Sequence, residues 1–208
     1  MNSTAHFDQA AATWDDNPAR RALTAAVAHA IRQALPLNSA MTVLEYGCGT
    51  AALSFQLSPW VGPIVAADAS PGMIAAAQRK VRAAGATTVT PRCLDVTASL
   101  QPELQRHFDL VASAMVLHHV EDTQALLAAF RALLRPGGHL ALADLCREDG
   151  SFHGGTPVPH HGFEPGFLAE ALLRHGFAPA SWRCVHTISK QGREYPVFLL
   201  TASLAAAP

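Results

Sequence analysis

The sequence predicts a doubly wound α/β fold, and three observations carry that prediction. A short apolar, β-rich run, Met41-Thr42-Val43-Leu44, meets a glycine turn, Gly47-Cys48-Gly49, and then apolar residues at helical spacing (Ala51, Ala52, Phe55). The same strand-then-helix alternation recurs down the chain, as layered α/β sheets require. Acidic residues Glu45, Asp68 and Asp95 end three successive strand-like runs. Open sheets of this kind bind ligands outside the carboxyl ends of their strands.

Each element has its own justification. Residues 1–18 carry Phe7, Trp14 and Pro18 among polar residues. Pro18 suits a first helical position, Leu23, Val27, Ala30 and Ile31 mark one face of a helix, and Pro36 stops it. Glycine at positions 47 and 49 lets the backbone turn sharply and lets a ligand come close. The helix start that follows offers unpaired N–H groups. Pro63-Ile64-Val65-Ala66-Ala67 is a second strand. Ser70 is an N-cap and Pro71 a first residue for a helix to about residue 84. Residues 87–94 hold a third strand and 108–113 a fourth, with Asp109 capping or pairing locally. Leu126, Leu127, Phe130, Leu133 and Leu134 make an amphipathic helix over 123–134, ended by Arg135-Pro136-Gly137-Gly138, and 139–144 is a fifth strand. Residues 146–163, rich in glycine, proline and histidine, form a long loop, which in a compact domain is usually functional or mobile. A helix over 165–176 precedes two strands, 180–189 and 195–201, joined by Lys190-Gln191-Gly192-Arg193.

The glycine pattern alone leaves the ligand open, since Gly47-x-Gly49-x-x-Ala52 also fits a dinucleotide fingerprint. Asp68 lies about twenty residues after Gly49, near the spacing at which an acid meets a ribose diol. Glu45 separates the readings. Glu45-Tyr46-Gly47-Cys48-Gly49-Thr50-Ala51 resembles the first motif, E/D-x-G-x-G-x-G, of class I S-adenosylmethionine (SAM)-dependent methyltransferases, with Ala51 in place of the third glycine. Asp68-x-Ser70-Pro71-x-Met73-Ile74 resembles that family's second cofactor segment, and Phe108-Asp109-Leu110-Val111 through Leu117-His118-His119-Val120 its fourth motif. The resemblance covers residues 41–145 specifically and the rest in outline. It implies a Rossmann-like seven-stranded sheet closed by a C-terminal antiparallel hairpin, in one methyltransferase domain over 1–208. Within it, 1–36 is a helical lid segment, 41–145 the SAM-binding core, 146–163 a loop or lid, and 164–203 the final helix and hairpin. It implies SAM as cofactor, contacted by Glu45, Gly47, Cys48, Gly49, Asp68, Ala69, Met73, Asp95, Val96 and Ser113. Asp95 and the Val96 N–H would read adenine, and the residues after Ser113 would flank the methionine end.

Methyl transfer asks for little beyond alignment and, for a hydroxyl or protonated amine acceptor, a base. His118, His119 and His161 are the catalytic candidates, with His153 and His160 also within the histidine set, because histidine titrates near neutrality. No metal is expected, since the spacing of His153, His160 and His161 matches no ligand pattern. The absence of an N-P-P-Y type sequence argues for a small-molecule acceptor.

Composition narrows the classes further. The chain has 208 residues, 50% hydrophobic, enough for one sizeable core. A net charge of −1 with no basic stripe argues against nucleic acid. Four scattered cysteines without C-x-x-C fit a reducing, cytoplasmic setting, and the polar, acidic start is unlike a signal peptide. No apolar run is long enough for a membrane span, and a monomer or homodimer is expected. Two rival readings stand beside the enzyme. One is a SAM-binding regulator or partner subunit without catalysis. The other is a nicotinamide-dependent oxidoreductase, which would need neither Glu45 nor Asp95 and for which no Y-x-x-x-K pattern is present.

Overall fold

The computed structural model describes residues 4–97 and 101–206. Six α-helices and seven strands are seen among them: α1 (Ala5–Ala10), α2 (Pro18–Ala34), β1 (Val43–Tyr46), α3 (Ala52–Leu57), β2 (Ile64–Asp68), α4 (Pro71–Ala84), β3 (Val89–Cys93), β4 (Phe108–Ala114), α5 (Thr123–Leu133), β5 (Leu134–Leu145), α6 (Pro165–Arg174), β6 (Ser181–Lys190) and β7 (Arg193–Ser203). The strands form one sheet in the order β3-β2-β1-β4-β5-β7-β6. β1 pairs in parallel with β2 and β4, β2 with β3, and β4 with β5. β7 is antiparallel to both β5 and β6, which gives the expected hairpin. The strand order reverses between β1 and β4, so the crevice outside their carboxyl ends is the topological switch point.

Alternation along the strands divides the core into two layers. Val43, Leu110, Ala141 and Val197 face one layer, which α2 fills with Leu23, Val27 and Ile31. Leu44, Val111, Leu140 and Phe198 face the other, filled from α5 and α6 by Leu126, Phe130 and Leu172. The helix ends obey their local chemistry. Asn17 caps α2 by accepting from the Ala19 and Arg20 N–H groups, with Pro18 behind it. Ser70 caps α4 by accepting from the Met73 N–H, and Gly85 ends it in the left-handed region at φ +60°.

Two elements differ from expectation. β5 begins at Leu134, opposite Phe108, rather than at His139. Arg135 to Gly138 then loop out of the ladder, held by an Arg135–Asp109 ion pair at 3.0 Å, and pairing resumes at Leu110 and His139. This is the local pairing expected of Asp109. The N-terminal segment, expected as part of a helical segment over 1–36 but with its helix placed only from Pro18, also contains α1 and a 3-10 turn, Ala11–Asp16. No helix among the described residues is long and apolar enough to cross a membrane.

Candidate functional site

The turn after β1 shows why small residues stand there. Gly47 has φ +70°, and a Cβ on it would lie 2.2 Å from a Val116 methyl. Val116 follows β4, so this close approach packs the two strand ends together beside the switch point. Gly49 has φ +53° and faces Trp14 Nε1 and Met73 Sδ. Ala51, in the third glycine's place, also holds the left-handed region at φ +63°, a conformation that costs a residue with a Cβ about 1–2 kcal/mol.

Two carboxyls flank this turn, Glu45 buried and Asp68 half-buried. Asp68 Oδ2 accepts the Gly49 N–H at 2.8 Å, and its Oδ1 accepts the Ser70 N–H at 2.8 Å. Burial raises its pKa against these hydrogen bonds. Glu45 Oε2 accepts the Ser54 N–H at 2.8 Å and also the Ser54 hydroxyl, which ties β1 to α3. Burial pushes Glu45 up to about 7, with Asp68 adding to the rise. Cys48 is buried beside both, and its thiol is raised well above its usual range, mainly by burial and then by Glu45.

The remaining sequence candidates divide by role. Met73 and Val96 are buried. The Ala69 carbonyl is approached by Cys93 Sγ at 3.8 Å. Asp95 Oδ1 accepts the Tyr46 hydroxyl at 3.2 Å, the Thr97 N–H at 2.9 Å and the Thr97 hydroxyl at 2.6 Å. Ser113 is buried, and its hydroxyl donates to the Tyr46 carbonyl at 2.9 Å. It therefore splices β1 to β4 at the switch point.

The N-terminal segment lies across the turn and is pinned at two acids. Asp8 Oδ1 accepts the Ser70 hydroxyl at 2.5 Å and the Gly72 N–H at 2.8 Å. A Cβ on Gly72 would come within 2.8 Å of Asp8 Cα, so glycine permits the approach. Asp15 accepts the Thr50 hydroxyl at 2.6 Å and pairs with Lys80 at 2.5 Å. The Arg20 guanidinium stacks 3.7 Å from the Trp14 ring centroid.

Beyond Phe7, which meets both Trp14 and His119 edge to face, lies a group of three histidines. The His118 and His119 rings are 4.0 Å apart between centroids, and His153 lies 5.0 Å from the first and 5.4 Å from the second. His118 is buried, and its Nδ1 sits 2.6 Å from Asp144 Oδ1, itself fully buried. Asp144 also accepts the Leu145 N–H at 2.7 Å. Burial first, then the neighbouring imidazoles, lower His119 to about 3 and His153 to about 4, so both rings are neutral at pH 7. His161 is exposed and packs against Gly150, outside this group. The His160 ring lies 3.0 Å from the Val120 carbonyl. His153, which the sequence reading named only within the wider histidine set, is the one brought beside His118 and His119. Asp144, Asp8 and Asp15 were missed as site residues. Asp144 carries a signal that was available, because it ends a strand as Asp68 does.

Known proteins resemble this chain in sequence and in fold. Residues 43–138 match the family model of a methyltransferase domain. An uncharacterized methyltransferase of Schizosaccharomyces pombe is 30% identical over 149 residues, covering 65% of this chain and 51% of that protein. The demethylmenaquinone methyltransferase of Mycolicibacterium paratuberculosis is 36% identical over 117 residues, covering 55% of this chain and 46% of that protein. The chain thus spans about half the length of these relatives. A SAM dependent methyltransferase from Aquifex aeolicus shares the fold with a TM-score of 0.71 at 19% identity, covering 99% of this chain and 100% of that one.

Proposed function

We propose that the chain is a class I SAM-dependent methyltransferase that binds SAM at the switch point and transfers the methyl group to a small-molecule acceptor held beside His118. One observation carries the reading: two carboxyls, the buried Glu45 and the half-buried Asp68, flank a glycine turn, and each is raised by loss of solvent and by a negative neighbour. Such a pair is relieved by a ligand that brings positive charge. SAM brings a sulfonium and an ammonium, whereas the pyrophosphate of a dinucleotide would add negative charge where it is least welcome. The residues therefore fit SAM better than a nicotinamide cofactor.

Glu45 is the counter-charge for the ligand's ammonium. Asp68 keeps lone pairs beyond its two backbone bonds with which to accept ribose hydroxyls. Asp95 and the Val96 N–H read adenine, Met73 and Trp14 close on the nucleoside, and the backbone of 47–49 admits the methionine portion. Bound there, SAM supplies an electrophilic methyl on a sulfur that is already a good leaving group. The protein's task is to align the acceptor about 3–3.5 Å behind that methyl. His118 is the group placed to take an acceptor's proton. Asp144 accepts from its Nδ1–H, which leaves Nε2 as the basic nitrogen. Phe7, Trp14 and Phe152 give this end an aromatic wall, which suits a planar or apolar acceptor, and the relative named for demethylmenaquinone supports that class.

Calorimetric titration with SAM and, separately, NADH tests the cofactor. Micromolar SAM binding without NADH binding is expected, with affinity lost in Asp68→Ala. NADH binding, or unchanged SAM affinity in that variant, would sink the assignment.

A further inference from the structure

We propose that His118, His119 and His153 form a three-nitrogen site for a divalent transition metal ion of the zinc type. One ligand atom from each of these side chains lies within 4.8 Å of the others. The residues come from two segments that the sheet brings together: the turn after β4, which carries His118 and His119, and the loop after β5, which carries His153. Three imidazoles are a donor set that suits zinc, copper, iron or nickel, and three protein ligands leave a coordination position open.

Two further observations point to a ligand rather than to packing. Asp144 accepts from His118 Nδ1 and fixes the ring so that Nε2 is the free donor atom, the carboxylate–histidine arrangement that orients metal ligands. His153 Nδ1 is buried with no hydrogen-bond partner. A buried polar atom left so is costly, and coordination would supply the partner it lacks. Tetrahedral coordination at about 2.0–2.1 Å requires the three nitrogens to draw closer than 4.8 Å. His153, half-buried on its loop, is the member free to make that move. The site itself does not depend on methyl transfer. If the proposed function holds, an ion here would occupy His118 Nε2 and replace it as the means of deprotonation, by lowering the pKa of an acceptor hydroxyl bound at the open position.

The full chain, stripped with chelator, is titrated with zinc by calorimetry and with cobalt(II) by visible absorption. One equivalent should bind, and cobalt should show the intense bands of a four-coordinate ion. His153→Ala should lose at least tenfold in affinity, and Asp144→Asn should lose tenfold to a hundredfold with its far-ultraviolet circular dichroism unchanged. His161→Ala should bind as wild type. No uptake, a six-coordinate cobalt spectrum, or uptake retained in His153→Ala would overturn the site. SAM titration of the same samples reports on the methyltransferase reading separately, so failure of one is visible apart from failure of the other.

Discussion

Glu45 shows how one residue can serve structure and ligand at once. Its carboxyl is buried and takes both Ser54 donors, yet its pKa is pushed up to about 7 from 4.5, first by burial. A carboxyl whose folded pKa is raised destabilises the fold as it ionises. Below pH 4.5 it is protonated in both states and costs nothing. Between 4.5 and 7 the unfolded chain loses its proton first, and stability falls by about 3 kcal/mol in total. Glu45→Gln keeps an acceptor for Ser54 and removes the titration. Urea unfolding should find the variant more stable than wild type at pH 8 and nearly equal at pH 4, with the difference developing across that window. Equal stability at both pH values would mean that Glu45 is ionised in the fold at little cost. The same variant should bind SAM less tightly, since the ammonium loses its counter-charge. At this scale the sequence was informative wherever spacing along the chain sufficed, as for Asp68 after Gly49. It was silent on the Asp144–His118 pair, because that contact depends on the register that sets Ser113 beside Leu142 and Ala114 beside Ala143.

The N-terminal strap, α1 and the 3-10 turn after it, is an element built by tertiary contacts. Each piece is six residues long, too short for periodicity to declare it, and isolated helices of that length are not stable in water. Its hold comes from Asp8 on the start of α4 and Asp15 on Thr50 and Lys80. The Asp8 carboxyl is depressed below its usual value of 3.8, first by the Ser70 hydroxyl and then by the Gly72 N–H. A depressed carboxyl contributes stability above its unfolded pKa and loses it as pH falls through the folded one. The grip of the strap is therefore full at neutral pH and released only below about pH 4. Asp8→Ala with Asp15→Ala should release it at pH 7. Hydrogen exchange in residues 5–16 should rise strongly while the sheet keeps its protection, and SAM should dissociate faster. Unchanged exchange would show that Trp14 and Phe7 hold the strap without the acids. By contrast, α2, α4 and α5 were legible to within a few residues, because each carries its own cap and a long apolar face.

At the scale of the molecule, the parallel order and the closing hairpin followed from the alternation of strands and helices and from the family resemblance, whereas the course of residues 146–163 did not. That stretch has no periodicity to read, and its path is set by side chains that reach it from the hairpin. Ser151 meets the Tyr195 hydroxyl at 2.7 Å, Arg193 pairs with Asp149 at 2.7 Å and also donates to Ser151, and Lys190 donates to the Phe152 carbonyl. Lys190 and Arg193, two of the four residues of the turn between β6 and β7, and Tyr195 just beyond it thus hold the segment that presents His153 to His118 and His119. The hairpin itself is stiff: Gln191 and Gly192 both have positive φ, the two-residue turn whose twist matches the strands. Arg193→Ala with Tyr195→Phe should therefore disturb the histidine group from a distance. The exposed Arg193–Asp149 pair and the single Tyr195–Ser151 hydrogen bond are each worth about 1 kcal/mol, so the melting temperature should move by only several degrees. Exchange in residues 149–155 should rise, and zinc affinity should fall by several-fold while SAM affinity at the switch point is unchanged. Zinc affinity that stays at the wild-type level would show that His153 is placed by its contacts with the other two rings alone, and the C-terminal hairpin would then close the sheet without shaping the site.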